Sequence, residues 1–221
     1  MLLDVVEAMA GTAPTVIDLA CGPGTITCRL LDRLPRAHSI AVDVDPVLLT
    51  IASATFADND RVHVVRADLR DRGWADALPD SQVDAVLTAT ALHWLPQDAV
   101  RRLYRDLAVL VRRGGVVAHS ERMPLADLPR LGRALAEIQR QGTASSDDRR
   151  ARWDAWWEQA SNEPALQPAT TRRQAVFETT YPTEEFSPPA NWHIAALRDA
   201  GFAEAGLVWR SGSAAVIAAV R

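Results

Sequence analysis

The sequence predicts an α/β protein built on a doubly wound, mostly parallel sheet, with a helical insertion ahead of its last elements. Three observations carry that prediction. Short β-branched, apolar runs alternate with stretches whose apolar residues recur at helical spacing, which is the rhythm of strand–crossover–strand units. Glycine and polar residues gather just after each strand run, where ligands bind in open parallel sheets. The rhythm breaks between residues 123 and 188 and then resumes.

Residues 15–19 (TVIDL) read as a buried strand that runs into the turn ACGPG. Ile26, Leu30, Leu31 and Leu34 then fall at helical spacing until Pro35 stops the pattern. Residues 39–43 form the second strand, and Asp45 followed by Pro46 has the chemistry of an N-cap and first helical position. Residues 61–67 and 83–89 give strands three and four. A helix over 97–111 follows, then a turn at Arg113-Gly114-Gly115 and a fifth strand, VVAHSE. In the insertion, Leu128, Leu131, Leu135 and Ile138 suggest one amphipathic helix, residues 142–148 a polar loop, and Trp153, Trp156 and Trp157 a second helix. Pro164, Pro168, Pro182, Pro188 and Pro189 punctuate the rest. A helix around 190–200 ends at Gly201, and residues 203–209 and 213–220 pair as a hairpin across Ser211-Gly212. The expected organisation is a core of 1–122 and 189–221 with a cap of 123–188.

The 221 residues are 48% hydrophobic and 24% charged, an ordinary globular balance. All 24 basic residues are Arg, interleaved with acids to a net charge of −4, so the basic footprint of a nucleic-acid binder is missing. No apolar run approaches the roughly 18 residues of a membrane span, and the first residues lack the basic start and long apolar core of a secretory signal. Cys21 and Cys28 fit neither a disulfide framework nor a zinc spacing. A cytoplasmic protein is expected, monomer or homodimer, acting on a small molecule without a metal.

Candidate chemistry concentrates at the strand ends. Gly22 and Gly24 in DLACGPG allow a tight turn and close approach of backbone to a ligand. Asp43, 19 residues beyond Gly24, suits the hydroxyls of a ribose. Asp68 could accept from the exocyclic amine of an adenine. Asp18, just before the glycine turn, would oppose a pyrophosphate but suit a cationic amino-acid group. The third glycine of a dinucleotide fingerprint is replaced by Thr27, against a nicotinamide oxidoreductase.

VIDLACGPG, IAVDVDP, VRADLRD, VDAVLTATALHWL, VRRGGVVAHSE and LRDAGF, in this order, resemble the successive motifs of class I S-adenosylmethionine-dependent methyltransferases. The resemblance covers residues 14–121 and 190–221. It implies a Rossmann-like three-layer fold with a seven-stranded sheet whose last strand is antiparallel. It implies S-adenosylmethionine as cofactor and S-adenosylhomocysteine as product. Asp18, Ala20, Cys21, Gly22 and Gly24 would hold the methionine part, Asp43 and Val44 the ribose, Asp68 and Leu69 the adenine, and Thr88, Ala89 and Thr90 would sit beside the sulfonium. ALHWL is similar to a subgroup that methylates small acids and natural products. About a dozen residues precede the first strand, where the family usually carries more, so either the chain is truncated or the insertion supplies closure over the cofactor.

Transfer by in-line displacement to an O, N or C nucleophile is the expected reaction; the alternative is a cofactor-binding regulatory or scaffold subunit without turnover. The fourth strand end reads TATALHW, not the Asn-Pro-Pro-aromatic run of base-amine methylases, and no Pro-Cys nucleophile is present. His93, beside the expected methyl group, is the first candidate base, with His119 and Glu121 on the same rim. Trp94 and His193 are candidates to touch the acceptor. Trp153 and Trp157 either line its pocket or pack the core of the insertion. Arg172 and Arg173 read as an exposed charged turn, with contact to an anionic acceptor as the other reading.

Overall fold

The computed structural model describes residues 1–79, 82–142, 146–177 and 185–221. Five parallel strands, β1 (Thr15–Leu19), β2 (His38–Asp43), β3 (Val62–Arg66), β4 (Val83–Ala89) and β5 (Val111–Arg122), join the antiparallel pair β6 (Glu204–Ser211) and β7 (Ala214–Val220). The order is β3-β2-β1-β4-β5-β7-β6, with β7 antiparallel to both neighbours. The chain runs outward from β1 to β3, then returns to place β4 on the other side of β1. The direction of winding therefore reverses between β1 and β4, and a crevice opens beyond their carboxyl ends.

Strand side chains alternate between two apolar layers. Ile17, Leu19, Val86 and Val117 face helices α4 (Gln97–Leu110) and α8 (Ala190–Asp199), where Leu103, Leu107 and Leu197 complete one core. Val16, Ala85, Leu87 and Val116 face α1 (Leu2–Ala10), α2 (Thr25–Arg33) and α3 (Pro46–Thr55), which supply Val6, Leu30, Leu31 and Ala52. Each fully buried Leu or Ile contributes about 1.5–3 kcal/mol. Asp45 caps α3, its Oδ1 accepting from the Val47 and Leu48 N–H groups, with Pro46 at the first helical position.

Helix α1 was not expected from the residue pattern of the first ten positions. The expected turn at Arg113-Gly114-Gly115 lies inside β5, because Gly114 N–H donates to Arg221 O at 2.8 Å and Arg221 N–H to Gly115 O at 3.0 Å. The backbone still turns there: Gly114 has φ 75°, and the pairing with β4 steps from Val83–Val111 to Ala85–Val116.

The insertion is helical: α5 (Pro129–Gly142), α6 (Ser146–Asn162) and α7 (Gln167–Phe177). The stripe of Leu128, Leu131, Leu135 and Ile138 is exposed, not packed on the core. Of the expected loop at 142–148, residues 143–145 lie outside the described residues and Ser146 already begins α6. Pro164 and Pro168 start helical turns, the first in a 3-10 turn and the second within the first turn of α7, where proline gives up no hydrogen bond. Pro182 lies outside the described residues. Arg172 and Arg173, expected in a turn, stand on α7. That helix packs on α3 and α6. Among the described residues no helix is long and apolar enough to cross a membrane.

Candidate active site

The loop after β1 turns on left-handed backbone. Ala20 (φ 54°), Gly22 (φ 58°) and Gly24 (φ 90°) all have positive φ, and Thr90 after β4 has φ 52°. Ala20 and Thr90 carry side chains, and such conformations cost about 1–2 kcal/mol each. Strain of this kind concentrates where a loop is shaped for a ligand. A Cβ on Gly22 would meet nothing within 4 Å, whereas one on Gly24 would lie 2.5 Å from the Phe56 ring. The first glycine keeps space open and the second lets α3 pack against the loop.

Four carboxylates stand at the strand ends. Asp18 is 1% exposed; its Oδ2 accepts from the Thr27 N–H at 3.1 Å and the Thr27 hydroxyl at 2.8 Å, while its Oδ1 is buried with no donor. Burial pushes its carboxyl up to about 6, against the pull of the Thr27 hydrogen bonds. Asp43 accepts from three backbone N–H groups, those of Gly22, Val44 and Asp45, at 2.7–2.8 Å. Burial still holds its carboxyl above the ordinary range. Asp68 is pushed up by partial burial, but the Arg70 guanidinium and N–H outweigh that and leave it below its ordinary value. Asp45, having capped α3 with one oxygen, accepts from Arg173 Nε at 2.6 Å with the other.

A cavity of about 510 Å³ opens over these strand ends. Its core wall includes Ala20, Cys21, Gly22, Asp43, Val44, Asp68, Leu69, Ala89, Thr90 and Trp94. Its cap wall is Trp153, Trp157, Arg173 and Phe177. Asp18, Gly24 and Thr88 lie behind the lining, and the Thr88 hydroxyl, like Asp18 Oδ1, is buried without a partner. Trp153 is exposed and stacks on Trp156, with ring centroids 5.5 Å apart and planes 11° apart. Trp156 and Trp157 pack with Val47, Ala160 and Ala169, so α6 both fills a small core and faces the cavity.

His93, His119, Glu121 and His193 are not in the lining. His93 and Glu121 pair with each other, Nδ1 to Oε2 at 2.8 Å. The Tyr104 hydroxyl lies 2.7 Å from His193 Nδ1 and 3.2 Å from His119 Nδ1. One hydroxyl proton serves one imidazole, so Tyr104 donates to one ring and accepts from the other, and the two rings take opposite tautomers. Both Nε2 atoms are buried without partners. Burial lowers the His119 imidazole well below its ordinary range and the His193 imidazole to about 4, the latter opposed by the charge of Glu121. Burial likewise raises the Tyr104 hydroxyl.

Sequence reasoning missed Phe177 and the second role of Asp45, and of its two readings of Arg173 the cavity lining favours contact with a ligand over an exposed turn. Arg173 and Asp45 are 128 positions apart, and no local pattern links them. Among the described residues no group of three or more His, Cys, Asp or Glu could hold a metal ion.

A family model described as a methyltransferase domain matches residues 16–115. Trans-aconitate 2-methyltransferase of Azoarcus sp. (strain BH72) is 38% identical over 106 residues, which are 48% of this chain and 38% of that protein. An O-methyltransferase family protein from Burkholderia thailandensis superposes with a TM-score of 0.63 at 22% identity, over 100% of this chain and 55% of that one. Human N-acetylserotonin methyltransferase, solved in complex with S-adenosylmethionine, superposes with a TM-score of 0.61 at 15% identity, over 100% and 51%. The match thus spans little over a third of the curated relative, and the chain about half of each structure. At these identities the solved structures establish the shared fold. Fold, ordered motifs and the match over residues 16–115 make the chain similar to class I, Rossmann-like methyltransferases.

Proposed function

We propose that the chain binds S-adenosylmethionine against the core wall of the cavity and methylates a small molecule held against the cap wall. One observation carries this reading: a single cavity joins the glycine turn, Asp43 and Asp68 to an aromatic face contributed by α6 and α7. In this reading residues 1–122 and 189–221 form the cofactor-binding core and 123–188 the acceptor-binding cap.

The residues fit the cofactor. Asp18 Oδ1 and Thr88 Oγ1 are buried groups lacking partners at the edge where an ammonium would bring donors. Gly22 leaves open the space that a Cβ would fill. Asp43 and Asp68 stand at the ends of neighbouring strands, as a nucleoside requires. The bound cofactor would supply a sulfonium-activated methyl group. The protein's part is to align the acceptor and exclude water, and alignment can supply about 7–11 kcal/mol.

A general base would add about 3–5 kcal/mol. His93 is the proposed base: its ring lies 4.9 Å from that of Trp94, which lines the cavity. Glu121 accepts from Nδ1–H and so leaves Nε2 free to take a proton.

The test is calorimetry with S-adenosylhomocysteine, followed by methyl transfer from labelled S-adenosylmethionine to a panel of small acids, phenols and amines. Binding with turnover on at least one acceptor is expected. A folded sample that gives no heat refutes the cofactor reading, and binding without turnover across the panel refutes the transferase reading.

A further inference from the structure

Arg173 is the only basic side chain among the described residues that line the cavity, and it shares that lining with Asp43, Asp45 and Asp68. Its guanidinium is held on three sides. Nε donates to Asp45 Oδ2 at 2.6 Å, and the guanidinium carbon lies 4.0 Å from the centre of the Trp157 ring and 4.5 Å from that of Phe177. Both Nη groups lack a hydrogen-bond partner among the described residues. A free Arg side chain loses about 2 kcal/mol of rotamer entropy when a ligand orders it. Here Asp45 and the two rings have already ordered it, so the remaining fork of N–H groups is preorganised for a planar anion. Beside it, the stacked Trp153 presents an exposed indole to the same cavity.

We infer that the acceptor is a monoanionic carboxylic acid with a planar, conjugated or aromatic skeleton. Its carboxylate pairs with the Nη groups of Arg173, and its plane lies against Trp153 and Trp157. The carboxylate is favoured over a phosphate by charge: one guanidinium already shared with Asp45 balances a single negative charge, and a dianion would face the neighbouring carboxylates. A cationic acceptor would meet Arg173 itself. This inference names the substrate class of the cavity's cap side and rests on the methyltransferase reading given above.

Calorimetry with trans-cinnamate tests it, with cinnamamide as the neutral shape match and 3-cyclohexylpropionate as the non-planar acid, each with and without saturating S-adenosylhomocysteine. Cinnamate should bind at least about tenfold more tightly than either comparison compound, the loss expected when a charge-assisted hydrogen bond or a stacked ring is removed. Arg173→Gln should erase the preference for acid over amide while S-adenosylhomocysteine still binds. Trp153→Ala, at an exposed position that spares the fold, should erase the preference for the planar acid. Equal affinity for cinnamate and cinnamamide, no detectable cinnamate binding, or an acid preference that survives Arg173→Gln overturns the inference. Failure of S-adenosylhomocysteine alone to bind removes the cofactor reading instead, because the cinnamate comparison is also made without it.

Discussion

Replacing Asp18 with asparagine separates what the carboxylate costs the fold from what it does for a ligand. The carboxyl sits at about 6, raised by burial from its ordinary 3.8. A folded-state value above the unfolded one means that the contribution to stability is full below pH 3.8 and is lost as pH rises through about 6. At pH 7.5 the unliganded fold therefore carries a cost of about 3 kcal/mol at this site. Asparagine keeps the shape, can direct its oxygen at the Thr27 donors, and carries no charge. Unliganded Asp18→Asn should be more stable by about 1–3 kcal/mol at pH 7.5, at roughly 2–4 °C of Tm per kcal/mol, and the gain should vanish below pH 4. Its amide NH2 would stand where the orphaned Oδ1 now stands and would oppose a ligand ammonium. Affinity for S-adenosylhomocysteine should fall about 10–150-fold, the worth of a hydrogen bond to a charged group. Thermal unfolding across pH 4–8 and calorimetry read the two effects. Stabilisation with unchanged affinity would refute the assignment of Oδ1 to the ligand, and no stabilisation at all would refute the burial argument.

Gly24→Ala should cost about 2–4 kcal/mol by denaturant unfolding, from φ 90° plus a Cβ 2.5 Å from the Phe56 ring. Gly22→Ala, whose Cβ meets no neighbour, should cost less in stability but weaken S-adenosylhomocysteine in calorimetry. His193, held at about 4 below its ordinary 6.5 and faced by Tyr104, His119 and Glu121, stays neutral in the fold while the unfolded chain takes a proton. Stability should then fall with pH between 6.5 and 4, by about 3 kcal/mol more in the parent than in His193→Gln, and parallel unfolding curves would refute it. His93→Ala should slow turnover at least about tenfold with S-adenosylhomocysteine affinity unchanged, and Glu121→Gln should follow it in direction; unaltered kcat in both removes the base.

The core could be read from the sequence because its signals are local. A β-branched run, a glycine turn and an acid at the strand end occupy a few consecutive residues, as in TVIDLACGPG, and the structure places that turn on left-handed backbone. The cap could not be read in the same way. Pro164 and Pro168 look like breakers, and only the structure shows them in first turns, where they are tolerated. The Arg173–Asp45 pair depends on how α7 docks on α3, information that neither segment carries alone. The buried histidines illustrate a third limit. His119 and Glu121 share one face of β5 by simple alternation, but whether that face meets solvent or a helix depends on α4 and α8, which bring Tyr104 and His193 against it.

The two walls of the cavity rest on unlike supports. The core wall is set by β1, β2 and β4, each paired on both sides, by the end of edge strand β3, and by a loop held in left-handed backbone, so its geometry is fixed before any ligand arrives. The cap wall hangs on helices, joined to the core at Asp45–Arg173, at the packing of α7 on α3, and at residues 185 and 186, where Glu185 pairs with Arg122 and Phe186 N–H donates to His93 O. Substitutions on α6 and α7 should therefore shift the KM for the acceptor and leave cofactor affinity in place. Arg173 is the exception to that independence. It grips the residue that caps α3, two positions beyond Asp43, so an acceptor carboxylate that draws the guanidinium away from Asp45 also disturbs the loop proposed to hold the ribose. Weak coupling between acceptor and cofactor binding, absent in Arg173→Gln, follows from that shared residue.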